Sequence, residues 1–235
     1  MPKPTPESAE RRGPPHNPGL KRLIEGKRHW HYCPASRARD LGFLGWHERG
    51  YLPHFDAPRV TQFVTFMLRD AFPVSKRREW EPFLREPDLS VRRRKLEAWL
   101  DRGHGACWLG RADVAECVEE TLRAGDGTSF RLQAWTVMPN HVHLVVCVWE
   151  TPLARLIHDW KGRSARDANG LLRRRGAFWE RDYSDTLIGD DAHRRRAIRY
   201  TEDNPVKAGF AREARQWRWS SARWRDEYER LPWER

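Results

Sequence analysis

The stretch LQAWTVMPNHVHLVVCV, residues 132–148, leaves few folds open to this chain. Two apolar runs flank the tight connection Met138-Pro139-Asn140, so the stretch reads as two strands folded back on one another. Side chains at i and i+2 of a strand point to the same face. His141 and His143 therefore project together, while Val142 and Leu144 point into the opposite layer. The segments around this hairpin complete a pattern. Val60–Leu68 is rich in β-branched and aromatic residues and reads as a strand, stopped by Pro73. Residues 75–101 read as helical, with Asp88 as a cap, Leu96, Trp99 and Leu100 as apolar points, and Gly103 as the stop. Val114, Val118 and Leu122 fall four apart on one helical stripe that Gly125 ends. After the hairpin, Leu153, Leu156, Ile157 and Trp160 form the inward face of an amphipathic helix. A short strand follows near Tyr183–Ile188. A last helix is opened by Asp190 or Asp191 and closed before Pro205. Strand, helix, strand, strand, helix, strand is the split β-α-β order of an α+β, ferredoxin-like sandwich. The expected fold is an antiparallel sheet with helices on one face, plus an extra C-terminal helix carrying Tyr200.

Charge narrows the choice of partner. The 44 Lys and Arg outnumber the 33 Asp and Glu, for a net charge of +11. Such an excess points to a polyanion, nucleic acid first and an anionic membrane surface second. Arginine runs recur at 91–95 (VRRRK), 171–176 (LLRRRG) and 193–197 (HRRRA). Any one run alone suits a solvated helix face; three together favour binding. Cys33, Cys107, Cys117 and Cys147 form no CxxC pair, so neither a zinc knuckle nor a disulfide framework is expected. The first residues lack the apolar core of a signal peptide, and no apolar run approaches the length of a membrane span. A cytoplasmic, nucleoid-associated protein without a membrane partner is the expectation. Residues 1–45, Pro-rich and charged, read as a basic flexible arm; 46–210 as the folded domain; 211–235 as a basic aromatic tail.

Two imidazoles on one strand face are a natural start for a divalent metal site, and need a third ligand from elsewhere. The alternative is two polar positions on the wet face of a half-buried strand. No competing catalytic set is present, since the chain lacks GxSxG, GxxxxGK[ST] and HExxH.

The flanks of the histidine pair give it a sharper meaning. The string Met138-Pro139-Asn140-His141-Val142-His143, followed by apolar or thiol residues, resembles the His-hydrophobic-His motif of the HUH single-strand endonucleases. It is most similar to that motif in the single-tyrosine transposases, and within them the REP-associated tyrosine transposases. The likeness extends to YLPHFD at 51–56, FVTFMLRDAFP at 63–73, FWERDYSD at 178–185, YTEDNPVKAGF at 200–210 and WRWSSARW at 217–224.

That resemblance implies a chemistry. A tyrosine attacks a DNA phosphate, becomes joined to the 5′ end and leaves a free 3′-OH, so the strand can later be rejoined. Of Tyr32, Tyr51, Tyr183, Tyr200 and Tyr228, the family pattern falls on Tyr200. Positions 193, 197, 200 and 204 share a helical face, and Tyr200 and Asn204 lie about 6 Å apart in rise. The resemblance makes Asn204 the third ligand of a site with His141 and His143, suited to Mg²⁺ or Mn²⁺. A helix cap before Pro205 is an equally common role for Asn204. Lys161, Arg163, Arg173, Arg174, Arg175, Arg181 and Lys207 are the expected contacts to a single-stranded or hairpin DNA, with Trp179, Trp217 and Trp219 as candidates for stacking on unpaired bases. Monomer and homodimer both remain open. So do two other functions: a domesticated hairpin-binding protein that does not cleave, and a phosphodiesterase that uses water.

Overall fold

The computed structural model describes residues 35–49 and 52–225. Most of the expected arm and the last ten residues of the tail lie outside them. The described elements run α1 (Ala35–Asp40), β1 (Gly45–Arg49), β2 (Leu52–Asp56), β3 (Thr61–Met67), α2 (Arg77–Leu84), α3 (Leu89–Leu100), α4 (Ala112–Arg123), β4 (Phe130–Val137), β5 (His141–Val148), α5 (Leu153–Leu171), β6 (Ser184–Leu187) and α6 (Asp191–Lys207).

Strands β3 to β6 form one sheet in the order β4-β5-β3-β6, every neighbouring pair antiparallel. With α4 joining β3 to β4 and α5 joining β5 to β6, this is the split β-α-β topology of a ferredoxin-like sandwich. Alternation along the strands sorts side chains into two layers. Val64, Phe66, Leu132, Trp135, Val142, Leu144, Val146 and Val148 meet the stripes Val114/Val118/Leu122 of α4 and Leu153/Leu156/Ile157/Trp160 of α5 in the main core. Fully burying one such side chain is worth roughly 1.5–3 kcal/mol. Strand β4 keeps this alternation only because of a bulge between Leu132 and Ala134. The extra residue, Gln133, resets the phase, so that Leu132 and Trp135 face the same layer.

The opposite sheet face carries a smaller cluster. Phe63, Ala134, Val145 and Ile188 pack against Ala197, Ile198 and Tyr200 of α6. The sheet thus has α4 and α5 on one side and the tyrosine helix on the other. Helix α6 starts where Asp190 caps it, its carboxylate accepting from the His193 N–H at 2.6 Å.

Four sequence expectations need adjustment. Residues 75–101 form two helices rather than one, separated at Pro87, with the Asp88 side chain capping the second. Helix α6 runs through Pro205 to Lys207, because proline in the last turn removes one bond to Thr201 while Ala208 N–H still reaches the Asn204 carbonyl at 2.9 Å. The hairpin β1–β2 was not anticipated; β2 packs beside β6 at the sheet edge. The described part of the tail is built into the domain. Val137 N–H bonds the Trp219 carbonyl at 2.9 Å, Ser220 bridges Thr136, and the Ser221 hydroxyl accepts from Trp135 N–H at 3.0 Å. This segment covers the free edge of β4.

Candidate active site

His141 and His143 open β5 opposite Met67 and Thr65 of β3, on the face covered by α6. Both are fully buried. Their ring nitrogens are fixed from behind. Asn140 donates through Nδ2 to the His104 carbonyl at 3.0 Å, which turns its Oδ1 to the His141 Nδ1 at 2.7 Å. The proton of His141 therefore sits on Nδ1, and Nε2 offers a lone pair. His143 Nδ1 lies 2.7 Å from the Thr65 hydroxyl. The two Nε2 atoms face each other at 3.1 Å. Two imidazole nitrogens that close share either a proton or a cation. Burial pushes His141 down to about 3. Burial also pushes His143 well below its ordinary range, with the charges of His141 and Lys207 acting in the same direction. Both rings are neutral at physiological pH, which is the ligand form.

A third donor comes from a residue the sequence reading missed. Asp101 follows α3 and places its Oδ1 3.9 Å from His141 Nε2; donor atoms of Asp101, His141 and His143 all lie within 4.8 Å of one another. Asn204 donates to the same Asp101 oxygen at 3.4 Å. The Asn204 Oδ1 is buried without a hydrogen-bond partner. A buried amide oxygen left unpaired costs free energy, and a cation would satisfy it. Two imidazole nitrogens, a carboxylate and an amide oxygen fit a divalent ion, Mn²⁺ more readily than Mg²⁺.

Helix α3 reaches this place because of its apolar side. Trp99 is buried, donates its indole N–H to the Ala71 carbonyl at 2.9 Å and stacks on Phe72 at 6.0 Å; Leu100 packs with Met67 and Ala71. The helix is thereby anchored just past the end of β3, beside the strand pair that holds His141. Its neighbouring positions Glu97 and Asp101, one turn apart, then face α6. The Tyr200 hydroxyl donates to Glu97 Oε2 at 3.0 Å. The Tyr200 ring meets His143 and Phe63 edge-on, each at 5.7 Å between centroids. Lys207 lies over that ring at 5.1 Å and pairs with Asp101 at 3.2 Å. Burial pushes the Tyr200 phenol well above its usual range, with the charges of Glu97 and Asp101 adding to this and an Asn204 hydrogen bond opposing it.

The expected metal ligands His141, His143 and Asn204 and the tyrosine thus converge. The missed carboxylates had one usable signal: Glu97 and Asp101 repeat the i, i+4 spacing of Tyr200 and Asn204. The expected DNA contacts divide. Lys161 is spent inside the protein, donating to the carbonyls of Glu180 at 3.0 Å and Asp182 at 2.8 Å beneath the rings of Phe66 and Tyr183. Trp179 is a core residue, 6% exposed, its indole bonded to Ser164 at 2.9 Å, so no base can stack on it. Both expectations are corrected for the same reason: apolar neighbours and partners internal to the fold claim these side chains. Arg174 is partly drawn in, bonding the Ala177 carbonyl at 3.2 Å. Trp217 and Trp219 are half-buried, the former donating to the Val137 carbonyl at 3.0 Å. Arg163, Arg173, Arg175, Arg181 and Lys207 are exposed. The segment bearing Arg173 to Arg181 returns to the His141 end of the sheet, because Leu68, next after the partner of His141, bridges Trp179. No described helix is long and apolar enough to cross a membrane.

Residues 111–204 match the family model described as "Transposase IS200 like". Among solved structures, the chain is similar to a REP-associated tyrosine transposase bound to a REP hairpin, with 15% identity over 80% of this chain and 89% of that one and a TM-score of 0.47. It is also similar to a candidate transposase from Deinococcus radiodurans R1, with 17% identity over 67% of this chain and 96% of that one and a TM-score of 0.34. No curated protein matches.

Proposed function

We propose that the protein is a metal-dependent DNA nickase and strand-transferase that cuts single-stranded DNA at the foot of a REP-like hairpin through Tyr200. The observation that carries this reading is the contact of the Tyr200 ring with His143, 5.7 Å apart across the interface of α6 and the sheet. The half-buried tyrosine and the buried histidine pair thus lie in one site. In the reaction the Tyr200 oxygen bonds to phosphorus and the bond from phosphorus to the 3′-oxygen breaks. The protein is left on the 5′ end, and the 3′ end is freed as a hydroxyl. His141, His143, Asp101 and the Asn204 amide oxygen would hold Mg²⁺ or Mn²⁺, which would supply Lewis-acid stabilisation of the phosphate. Asn140 and Thr65 hold the imidazoles in register from behind. Lys207, exposed and above the tyrosine ring, offers positive charge where the phosphate must arrive. Arg163, Arg173, Arg175 and Arg181 grip the flanking backbone. The hairpin preference rests on the sequence likeness to the REP-associated transposases.

The test is incubation of the full chain with an end-labelled hairpin carrying a single-stranded 5′ extension, with and without Mn²⁺. A covalent protein–DNA adduct is expected with Mn²⁺ and absent with chelator or in Tyr200→Phe. Tight hairpin binding with no adduct in the wild type overturns the reading in favour of a non-cleaving binder. Cleavage without an adduct overturns it in favour of attack by water.

A further inference from the structure

Resting on the reading of Tyr200 as nucleophile, we propose that Glu97 is the general base that takes the phenolic proton as Tyr200 attacks, and the acid that returns it when the strand is rejoined. Glu97 precedes the residues that match the transposase family, on a helix that the family likeness gives no catalytic part. Geometry assigns it one. Its Oε2 accepts the Tyr200 hydroxyl at 3.0 Å, within the reach a general base needs. No other hydrogen bond of that hydroxyl to a carboxylate is present among the described residues. The imidazoles are poor alternatives: both ring nitrogens of His141 and of His143 are already engaged, behind by Asn140 and Thr65 and in front by one another. Asp101, the other nearby carboxylate, is held by Lys207 and Asn204. Glu97 alone is left aimed at the reacting oxygen, on a helix locked by Trp99 and Leu100.

The balance is complete with water as the only added species. During cleavage the Oη–P bond forms, the P–O3′ bond breaks, the phenolic proton passes to the Glu97 carboxylate, and the departing 3′-oxygen takes a proton from solvent. During joining the 3′-hydroxyl attacks phosphorus, losing its proton to solvent. The Oη–P bond then breaks, and Glu97 returns its proton to the phenolate.

The experiment measures single-turnover adduct formation by the full chain on the labelled hairpin in saturating Mn²⁺. Glu97→Gln keeps a hydrogen-bond acceptor for the phenol but cannot take a proton. It is expected to slow adduct formation by about 10²–10⁴-fold, with hairpin affinity within about twofold of wild type. Replacing Tyr200 by a fluorinated, more acidic tyrosine should restore about tenfold or more of the Glu97→Gln rate, and change the wild-type rate much less. A merely structural role for Glu97 predicts no such selective rescue. A Glu97→Gln rate close to wild type overturns the assignment, and so does a loss that the acidic phenol leaves untouched; in both cases Tyr200 stands as nucleophile. A wild-type protein that forms no adduct overturns Glu97 and Tyr200 together. Should Glu97→Gln fail to fold by circular dichroism, Glu97→Asp replaces it. That variant should form adduct more slowly than wild type and be accelerated more than wild type by the fluorinated tyrosine at position 200; an undiminished rate overturns the assignment.

Discussion

At the scale of single residues, the site depends on side chains that touch neither phenol nor ion. Asn140 is one. It is wholly buried, and its amide decides which nitrogen of His141 carries the proton. Asn140→Ala leaves His141 free to turn or to protonate the wrong nitrogen. Loss of such a partner typically costs about 10–100-fold in metal affinity. Mn²⁺ titration of Asn140→Ala, followed by calorimetry, is expected to show a weakening of that order with the fold retained. Equal affinity in variant and wild type would remove Asn140 from this role. The histidines themselves were legible, because strand periodicity alone puts residues 141 and 143 on one face. Asn140 was visible only as part of a turn; nothing in Pro-Asn-His states that the amide bonds the next residue's ring. Glu97 and Asp101 showed nothing in the sequence beyond their i, i+4 spacing, for another reason. On a helix so rich in arginine they read as solvated charge, and only the docking of Trp99 and Leu100 turns them inward. Tyr200, the partner of Glu97, lies 103 residues away in sequence.

Element by element, the sheet and its two covering helices followed from apolar spacing, while the edge structures did not. The β1–β2 hairpin shows why. Its sequence, with Pro53 and two histidines, lacks a clear alternation. What fixes it is a buried polar cluster. His54 bonds Asp185 and lies 3.4 Å from Asp182, while Phe55 N–H reaches Asp185 at 3.1 Å and Gln62 reaches it at 2.9 Å. Burial by itself would lower the His54 imidazolium. The hydrogen bonds and charges of Asp182 and Asp185 outweigh burial and raise it to about 9. A folded value above the ordinary 6.5 means that protonation stabilises the fold. That stabilisation is fully present below pH 6.5 and is lost as pH rises through about 9. Its upper size is roughly 3 kcal/mol, from about 1.4 kcal/mol per unit. In urea unfolding, wild type is expected to exceed His54→Gln in stability by most of this amount at pH 6, and the gap is expected to narrow by pH 10. A gap that does not change with pH would show that His54 is neutral in the fold. Arg93 ties the same corner to α3, donating to the Asp185 carbonyl at 3.0 Å, so the hairpin and the active-site helix share an anchor. The VRRRK run that suggested a polyanion partner is in part this internal brace.

For the whole molecule, the excess of positive charge and the placement of the site point the same way. Exposed arginines from the end of α5 to Arg181 lie on the segment that returns to the His141 end of the sheet. The closing segment to Ser221 seals β4, bonding Glu202 of α6 through the Ser221 hydroxyl at 2.5 Å. It thereby ties the tyrosine helix to the sheet beneath it. Tyr200 rests against the His143 of its own polypeptide, with its hydroxyl on the Glu97 of that same polypeptide. Mixing His143→Ala protein with Tyr200→Phe protein is therefore expected to produce no adduct beyond that of each alone. Adduct formed only by the mixture would mean that the tyrosine helix exchanges between copies. Under the proposed function, self-sufficiency of this kind has a cost in control: a lone molecule meeting its sequence would open the strand without waiting for a second to license it. Restraint on needless breakage would then have to reside in the DNA, in whether a stem has extruded and left its foot unpaired.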